Sequence, residues 1–332
     1  MNARLSLLSR LLRAATTNGQ IADLLKSRGA LHSAPNWDAL FEERVVPALK
    51  AGVLSEGDLL GILADAEETG RQHIFLFQRS QKTLPSPKSL RAWAADNGAQ
   101  DVLEHPRLVD FPSSRTISEI RSEPMEAPPQ LFIKFVESRA TETKVSDRTE
   151  GNRRIVEYER ERERAVHVVV THGDGLLELR LARHQRSSAD YSRTIEQIMS
   201  MLAPLLGTVT AIPLVDAKMR MWRERSRLGA KIRFSGQRLR DDSGNVLTGS
   251  TGTAQDDLFE EERMEESLVK FIGDNQAIVD TWNVWFKPQK NGTPPKEVHV
   301  LLSGAINEYI ITQQCSRSSH EYILSSTAFP PS

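Results

Sequence analysis

From Arg153 to Arg183 the side chains sort at a period of two. Tyr158, Arg160, Arg162, Arg164, Val166, Val168 and Val170 fall on one side of the alternation; Glu157, Glu159, Glu161, Glu163, Ala165 and His167 fall on the other. His172-Gly173-Asp174-Gly175 supplies positive-φ positions for a tight turn, and Leu177, Leu179 and Leu181 alternate on the return. A two-residue Asp174-Gly175 loop sets Val170 opposite Leu179 and Val168 opposite Leu181, uniting valines and leucines on one apolar face. The arginine row then extends the core-facing side of the long strand past the end of that core. A helix is the competing reading, because Glu and Arg are good helix formers. It would place Glu157/Glu161, Glu159/Glu163 and Arg160/Arg164 as like-charged pairs one turn apart, whereas the flanking Val and Ile favour extended chain. The plainest role for such alternating charge is to keep a solvated ribbon from aggregating edge to edge.

The remaining pattern predicts an α+β protein: a helical N-terminal domain, then an antiparallel β-rich region covered by amphipathic helices. Residues 1–104 read as mainly helical. Trp37, Leu40, Phe41, Val45 and Leu49 recur at helical spacing in a segment that Pro47 should kink, and Ser55-Glu56-Gly57-Asp58 has the form of a capping box. His73–Phe77 reads as a short buried strand or an apolar helix end, and Pro85, Pro87 and Ser89 introduce a helix carrying Trp93. Pro106, Pro112, Pro124, Pro128 and Pro129 mark residues 105–130 as a linker. Residues 131–332 form the α+β domain with the charged hairpin. Within it Tyr191, Ile195, Ile198, Met199, Leu202, Leu205 and Leu206 make one helical stripe, ended by Gly207. A hairpin is expected around Asp242–Asn245, an acidic helix over 258–272, and closing strands over 297–302, 309–313 and 322–324.

At 332 residues, 39% hydrophobic and 26% charged, the chain has the balance of a folded protein with two or three domains. Its net charge of −1 gives no global field toward nucleic acid or an anionic membrane. The single Cys315 excludes an internal disulfide framework and fits a reducing, cytoplasmic setting. No apolar run reaches bilayer length, so no membrane partner is expected. The N-terminal Leu/Arg stripe resembles an organellar presequence in composition, but it reads more simply as a first helix.

Charge is segregated locally. From Asp216 to Arg240 nine cations (Lys218, Arg220, Arg223, Arg225, Arg227, Lys231, Arg233, Arg238 and Arg240) face two acids, a net +7, with Met219, Trp222 and Phe234 interleaved. From Asp241 to Glu266 nine acids face Arg263 alone, a net −8. A basic stretch with aromatics suits phosphate neutralisation and base stacking; the two segments also suit neutralising each other. No metal motif, nucleophile motif, P-loop or dinucleotide fingerprint occurs, so no cofactor is expected. His167 and His172 differ in parity along a strand and point to opposite faces. Trp282-Asn283-Val284-Trp285-Phe286 reads as core before it reads as a stacking patch.

These residues point to a non-catalytic binding or assembly protein. Its candidate surface is Arg160, Arg162 and Arg164 together with Lys218, Arg220, Arg223, Arg225, Arg227, Lys231 and Arg233. A protein partner or self-association is expected, with DNA or RNA as a further candidate partner. The alternatives are a metal-dependent phosphodiester-cleaving enzyme using Asp174 and Glu178, where Arg180 stands in place of the lysine such a site wants, and an oligomerising scaffold with no nucleic-acid contact.

Overall fold

Eleven strands form a single antiparallel sheet in the computed structural model, which describes residues 2–327 apart from 125, 127, 185–187 and 254. In chain order they are β1 (Gln72–Arg79), β2 (Thr116–Glu123), β3 (Gln130–Glu150), β4 (Arg153–His172), β5 (Leu176–Ala182), β6 (Val209–Ala211), β7 (Ile232–Arg240), β8 (Val246–Ser250), β9 (Ile278–Phe286), β10 (Val298–Leu302) and β11 (Glu308–Ile311). Their order across the sheet is β2-β3-β4-β5-β1-β11-β10-β9-β7-β8, with the short β6 also on β1. With helices in the N-terminal region and against the sheet, the class is α+β. β1, from the stretch that reads as helical in sequence, is the central strand, paired to β5 on one side and β11 on the other. β2 arises inside the proline-rich stretch that reads as a linker. Its Ile117 and Ile120 are buried against β3.

The N-terminal helices Ala3–Ala15, Asn18–Ser27, Trp37–Leu40, Val46–Lys50 and Glu56–Glu68 pack around their own core of Leu8, Leu12, Ile21, Leu25, Phe41 and Leu59. The Ser55/Asp58 capping box forms at the start of the last of these. Pro47 has no N–H to give, and the turn before it, Phe41–Val45, widens to a π-helix.

The β4–β5 hairpin forms in a register one residue away from the sequence expectation. Val169 faces Leu179 and Thr171 faces Leu177, so Val168 and Val170 lie opposite Arg180 and Glu178. The cause is the turn: residues 173–175 make a three-residue loop with Gly175 at φ +97°, not a two-residue one. A slip of one residue exchanges every side chain between faces. The sheet therefore has a leucine face (Leu177, Leu179, Leu181, Val169) and a valine face (Val166, Val168, Val170), and both are buried. The Ser188–Leu206 helix, with Ile198 and Leu202 inaccessible to solvent, and the Pro87–Asp96 helix, with Trp93, cover the leucine face. The end of the Glu56–Glu68 helix meets the valine face beside β3 and β4. Farther along the sheet Val215–Arg223, Glu262–Asn275 and Arg317–Thr327 cover the β7–β11 part. Residues 322–324, expected as a closing strand, belong to that last helix, because Ser319, His320, Ile323, Leu324 and Thr327 share one helical face.

Candidate functional site

β3 and β4 run far beyond the body. Their neighbours β2 and β5 pair only with 130–136 and 168–171, whereas β3 and β4 stay paired out to Glu150 and Arg153. The ribbon from Ser138 and Arg164 to its tip is thus about 40 Å long at roughly 3.3 Å per residue. Val145 is bulged out between Lys144 and Ser146. Register assigns the two faces. Ser138, Ala140, Glu142 and Lys144 share one with Arg164, Arg162, Arg160 and Tyr158, and beyond the bulge Asp147 and Thr149 share it with Val156 and Arg154. Arg139, Thr141, Thr143 and Ser146 share the other with Glu163, Glu161, Glu159 and Glu157, followed by Arg148 with Ile155 and Glu150 with Arg153. The first face carries Lys144, Arg154, Arg160 and Arg162 against Glu142 and Asp147, a net +2 outward of Arg164. The second carries five glutamates against Arg139, Arg148 and Arg153, a net −2. The ribbon is neutral as a whole and polarised across its thickness.

The three ribbon arginines differ in their surroundings. Arg160 is open to solvent, with Glu142 only at 4.0 Å. Arg162 lies against the Phe111 ring at 5.3 Å. Arg164 belongs to the body: its Nε donates to the Val109 carbonyl at 2.7 Å and its Nη1 to Glu67 Oε1 at 2.6 Å. Glu67 also reaches Lys134 Nζ, at 3.4 Å, and Lys134 lies 3.1 Å from Glu68 and 3.0 Å from Glu119. Burial works against ionising Glu68, yet the Lys134 charge and the Arg121 hydrogen bond hold its carboxyl down to about 2. Arg164, Glu67, Lys134, Glu119 and Arg121 wall a cleft of about 350 Å³ between the helical region and β2–β3, with Asp65, Leu60 and Leu63 opposite. They fasten the root of the ribbon to the helices.

On the leucine face the root is held by Glu137. It accepts from Arg115 at 2.8 Å and Arg139 at 2.7 Å, and His167 Nε2 is 3.1 Å away. Burial pushes His167 down to about 4, against the pull of Glu137, so the ring is neutral at pH 7. Glu137 is held well below the usual carboxylate range: its burial is outweighed by His167, Arg139 and their hydrogen bonds.

The basic segment is dispersed. Lys218 is buried, its Nζ donating to the carbonyls of Asp280 and Ser303, and burial lowers its pKa. Arg220 is half-buried, while Arg223 and Lys231 are exposed. Arg225 lies over the Trp222 ring at 4.5 Å and donates to Glu265 at 2.6 Å, which joins the basic segment to the acidic helix. Arg227 pairs with Glu224, and Arg233 is buried between Glu297 and the Trp285 ring. Five strands separate β4 from β7, about 29 Å at ~4.8 Å per strand. Successive pairings also place Arg233 on the leucine face, opposite the ribbon arginines. The ten cations do not form one continuous surface.

Asp174 and Glu178 do not converge. Asp174 accepts from Leu176 N–H inside the turn. Glu178 is fully buried, bonded to His172 at 2.8 Å, His320 at 2.7 Å and Arg180 at 3.0 Å. The off-by-one register hid this group from sequence reading: Glu178 and Arg180 look like the polar outer side of an alternating strand, and only the second covering layer makes them interior. His172 and His167 sit in separate clusters, and among the described residues no group of three or more His, Cys, Asp or Glu is placed to hold a metal ion. Burial pushes the Cys315 thiol up to about 12. In β9, Trp282, Val284 and Phe286 are core, while Trp285 is half-exposed against His299. Among the described residues no helix is long and apolar enough to cross a membrane.

No protein-family model matches the chain, and no curated protein matches it.

Proposed function

We propose that this is a binding or assembly protein without a catalytic role, and that the β3–β4 ribbon is its working element, taking an acidic partner surface on the arginine face. One observation carries the reading: a two-stranded arm about 40 Å long leaves the sheet with its charges sorted by face and with a root fixed by buried ion pairs. An arm with so little packing of its own adds no core. Its fixed root gives it a defined direction at which to present Lys144, Arg154 and Arg160.

Nucleic acid is the second reading, favoured by the width of a two-stranded ribbon, which the B-DNA major groove admits. The glutamate face weighs against it, since phosphates line both walls of a groove. A face of net +2 releases few counterions, so the log–log salt slope would be no steeper than roughly −2. Fluorescence anisotropy with labelled poly-glutamate and with a labelled DNA duplex separates the two. The assembly reading expects poly-glutamate to bind at low salt and Arg154→Glu/Arg160→Glu to abolish that binding. Duplex binding lost in the same variant, with no binding of poly-glutamate, would favour nucleic acid. Binding of either probe that survives the double change would remove the ribbon from the function. Arg164 is left intact in this test because its loss would leave Glu67 only the longer contact to Lys134.

A further inference from the structure

We infer that the acidic surface met by the arginine face is the glutamate face of the same ribbon in a second copy of this chain. The inference rests on the arm reading above and names its partner.

Charge complementarity is the first argument. The two faces carry equal and opposite net charge, +2 and −2, on one element. On the glutamate face Glu159, Glu161 and Glu163 have no cation within ion-pair distance among the described residues: Arg139, opposite Glu163, is taken by Glu137, and Arg148 by Glu150 and Glu157. On the arginine face Arg160 is 72% exposed with Glu142 only at 4.0 Å, so it is open to those glutamates, and Arg154 is 70% exposed although it donates to Asp147 at 2.7 Å.

Spacing is the second. Both rows advance two residues at a time along β4, about 6.6 Å per step. Arginines of one ribbon laid over glutamates of another therefore stay in step along the contact, as two unrelated charged surfaces would not. Tyr158, 61% exposed on the arginine face, and Ile155 on the glutamate face add apolar contact near the tip.

The main competitor is antiparallel side-by-side pairing of two ribbons about a two-fold axis normal to the sheet. Paired residues in an antiparallel sheet share a face, so two β4 edges related in this way bring the glutamate row against the glutamate row and the arginine row against the arginine row in every register. Like charges directly opposite are destabilising. On the other edge the bulge at Val145 interrupts the strand. Antiparallel β4–β4 pairing is thus disfavoured, while face stacking is complementary. Stacking of unlike faces leaves one arginine face and one glutamate face unsatisfied at the ends, which gives a ring or a growing stack, not a closed dimer.

Sedimentation of the full chain tests this with two variants, Arg154→Glu/Arg160→Glu (acidic on both faces) and Glu159→Arg/Glu161→Arg (basic on both faces), alone and mixed. Wild-type protein at about 0.05 M salt should exceed its 37.2 kDa monomer mass increasingly with concentration. It should return to monomer near roughly 0.5 M salt, where the screening length is a few Å. Each variant alone should stay monomeric, and the equimolar mixture should regain association. A wild type that remains monomeric at roughly 0.1 mM, or a mixture that does not associate, overturns the inference. Poly-glutamate binding by a monomeric wild type would sink self-stacking and leave the arm reading standing. Absence of both would sink both. Circular dichroism of each variant confirms that the exposed changes leave the fold intact.

Discussion

Lys134 shows how a single residue ties the ribbon to the body. It is buried among Glu67, Glu68 and Glu119, and removing it leaves three carboxylates with too little positive charge. Lys134→Ala should cost about 3–5 kcal/mol, the range for breaking a buried ion pair, measured by denaturant unfolding. A loss below about 1 kcal/mol, the range of exposed pairs, would mean that the network does not hold the root. His167 makes the same region sensitive to pH. Its folded pKa of about 4 lies below the ordinary 6.5, so between these values the unfolded chain binds a proton that the folded chain excludes. Its contribution to stability is complete above about pH 6.5 and declines as pH falls toward 4. His167→Gln should flatten that part of the stability–pH curve; an unchanged slope would assign the acid sensitivity to other groups. Glu68 acts lower, losing its stabilisation as pH falls from 4.5 through about 2. Gly70 matters for its backbone. At φ +75° an added Cβ would lie 2.5 Å from the Gln313 carbonyl oxygen, so Gly70→Ala should lower the melting temperature by several degrees.

At the scale of elements, what the sequence disclosed depended on how many faces an element buries. The Ser188–Leu206 helix has one apolar stripe and was legible from it. Ile198→Ala should cost about 2–5 kcal/mol, and an unfolding midpoint unmoved by it would contradict the packing against Leu177, Leu179 and Leu181. β4 and β5 were legible as strands from their alternation. Their register was not, because a strand buried on both faces carries no polar side to fix it, and the turn decided. β2 was hidden by the prolines around it. The alternating charges of Glu157–Arg164 marked the ribbon, and Arg160 stands where the pattern placed it, in solvent. Arg164 looks identical in sequence, but the Glu67 that captures it is 97 residues away and pattern alone cannot place it. Lys218 and Arg233 were obscured in the same way: a basic run looks like a surface until the sheet buries two of its members.

For the whole molecule, a sheet of eleven strands with helices on both faces makes a body from which one element departs. On the function proposed above, the ribbon serves interaction and not the fold. This is tested most directly by replacing residues 141–161 with an Asn-Gly turn, so that Ala140 and Arg162, already paired, close a two-residue hairpin. Melting temperature and sedimentation mass are then measured on the same sample. The expected result is a melting temperature within a few degrees of wild type together with complete loss of self-association at low salt. A large fall in melting temperature would make the ribbon part of the fold, and association that persists without it would place the interacting surface elsewhere on the molecule.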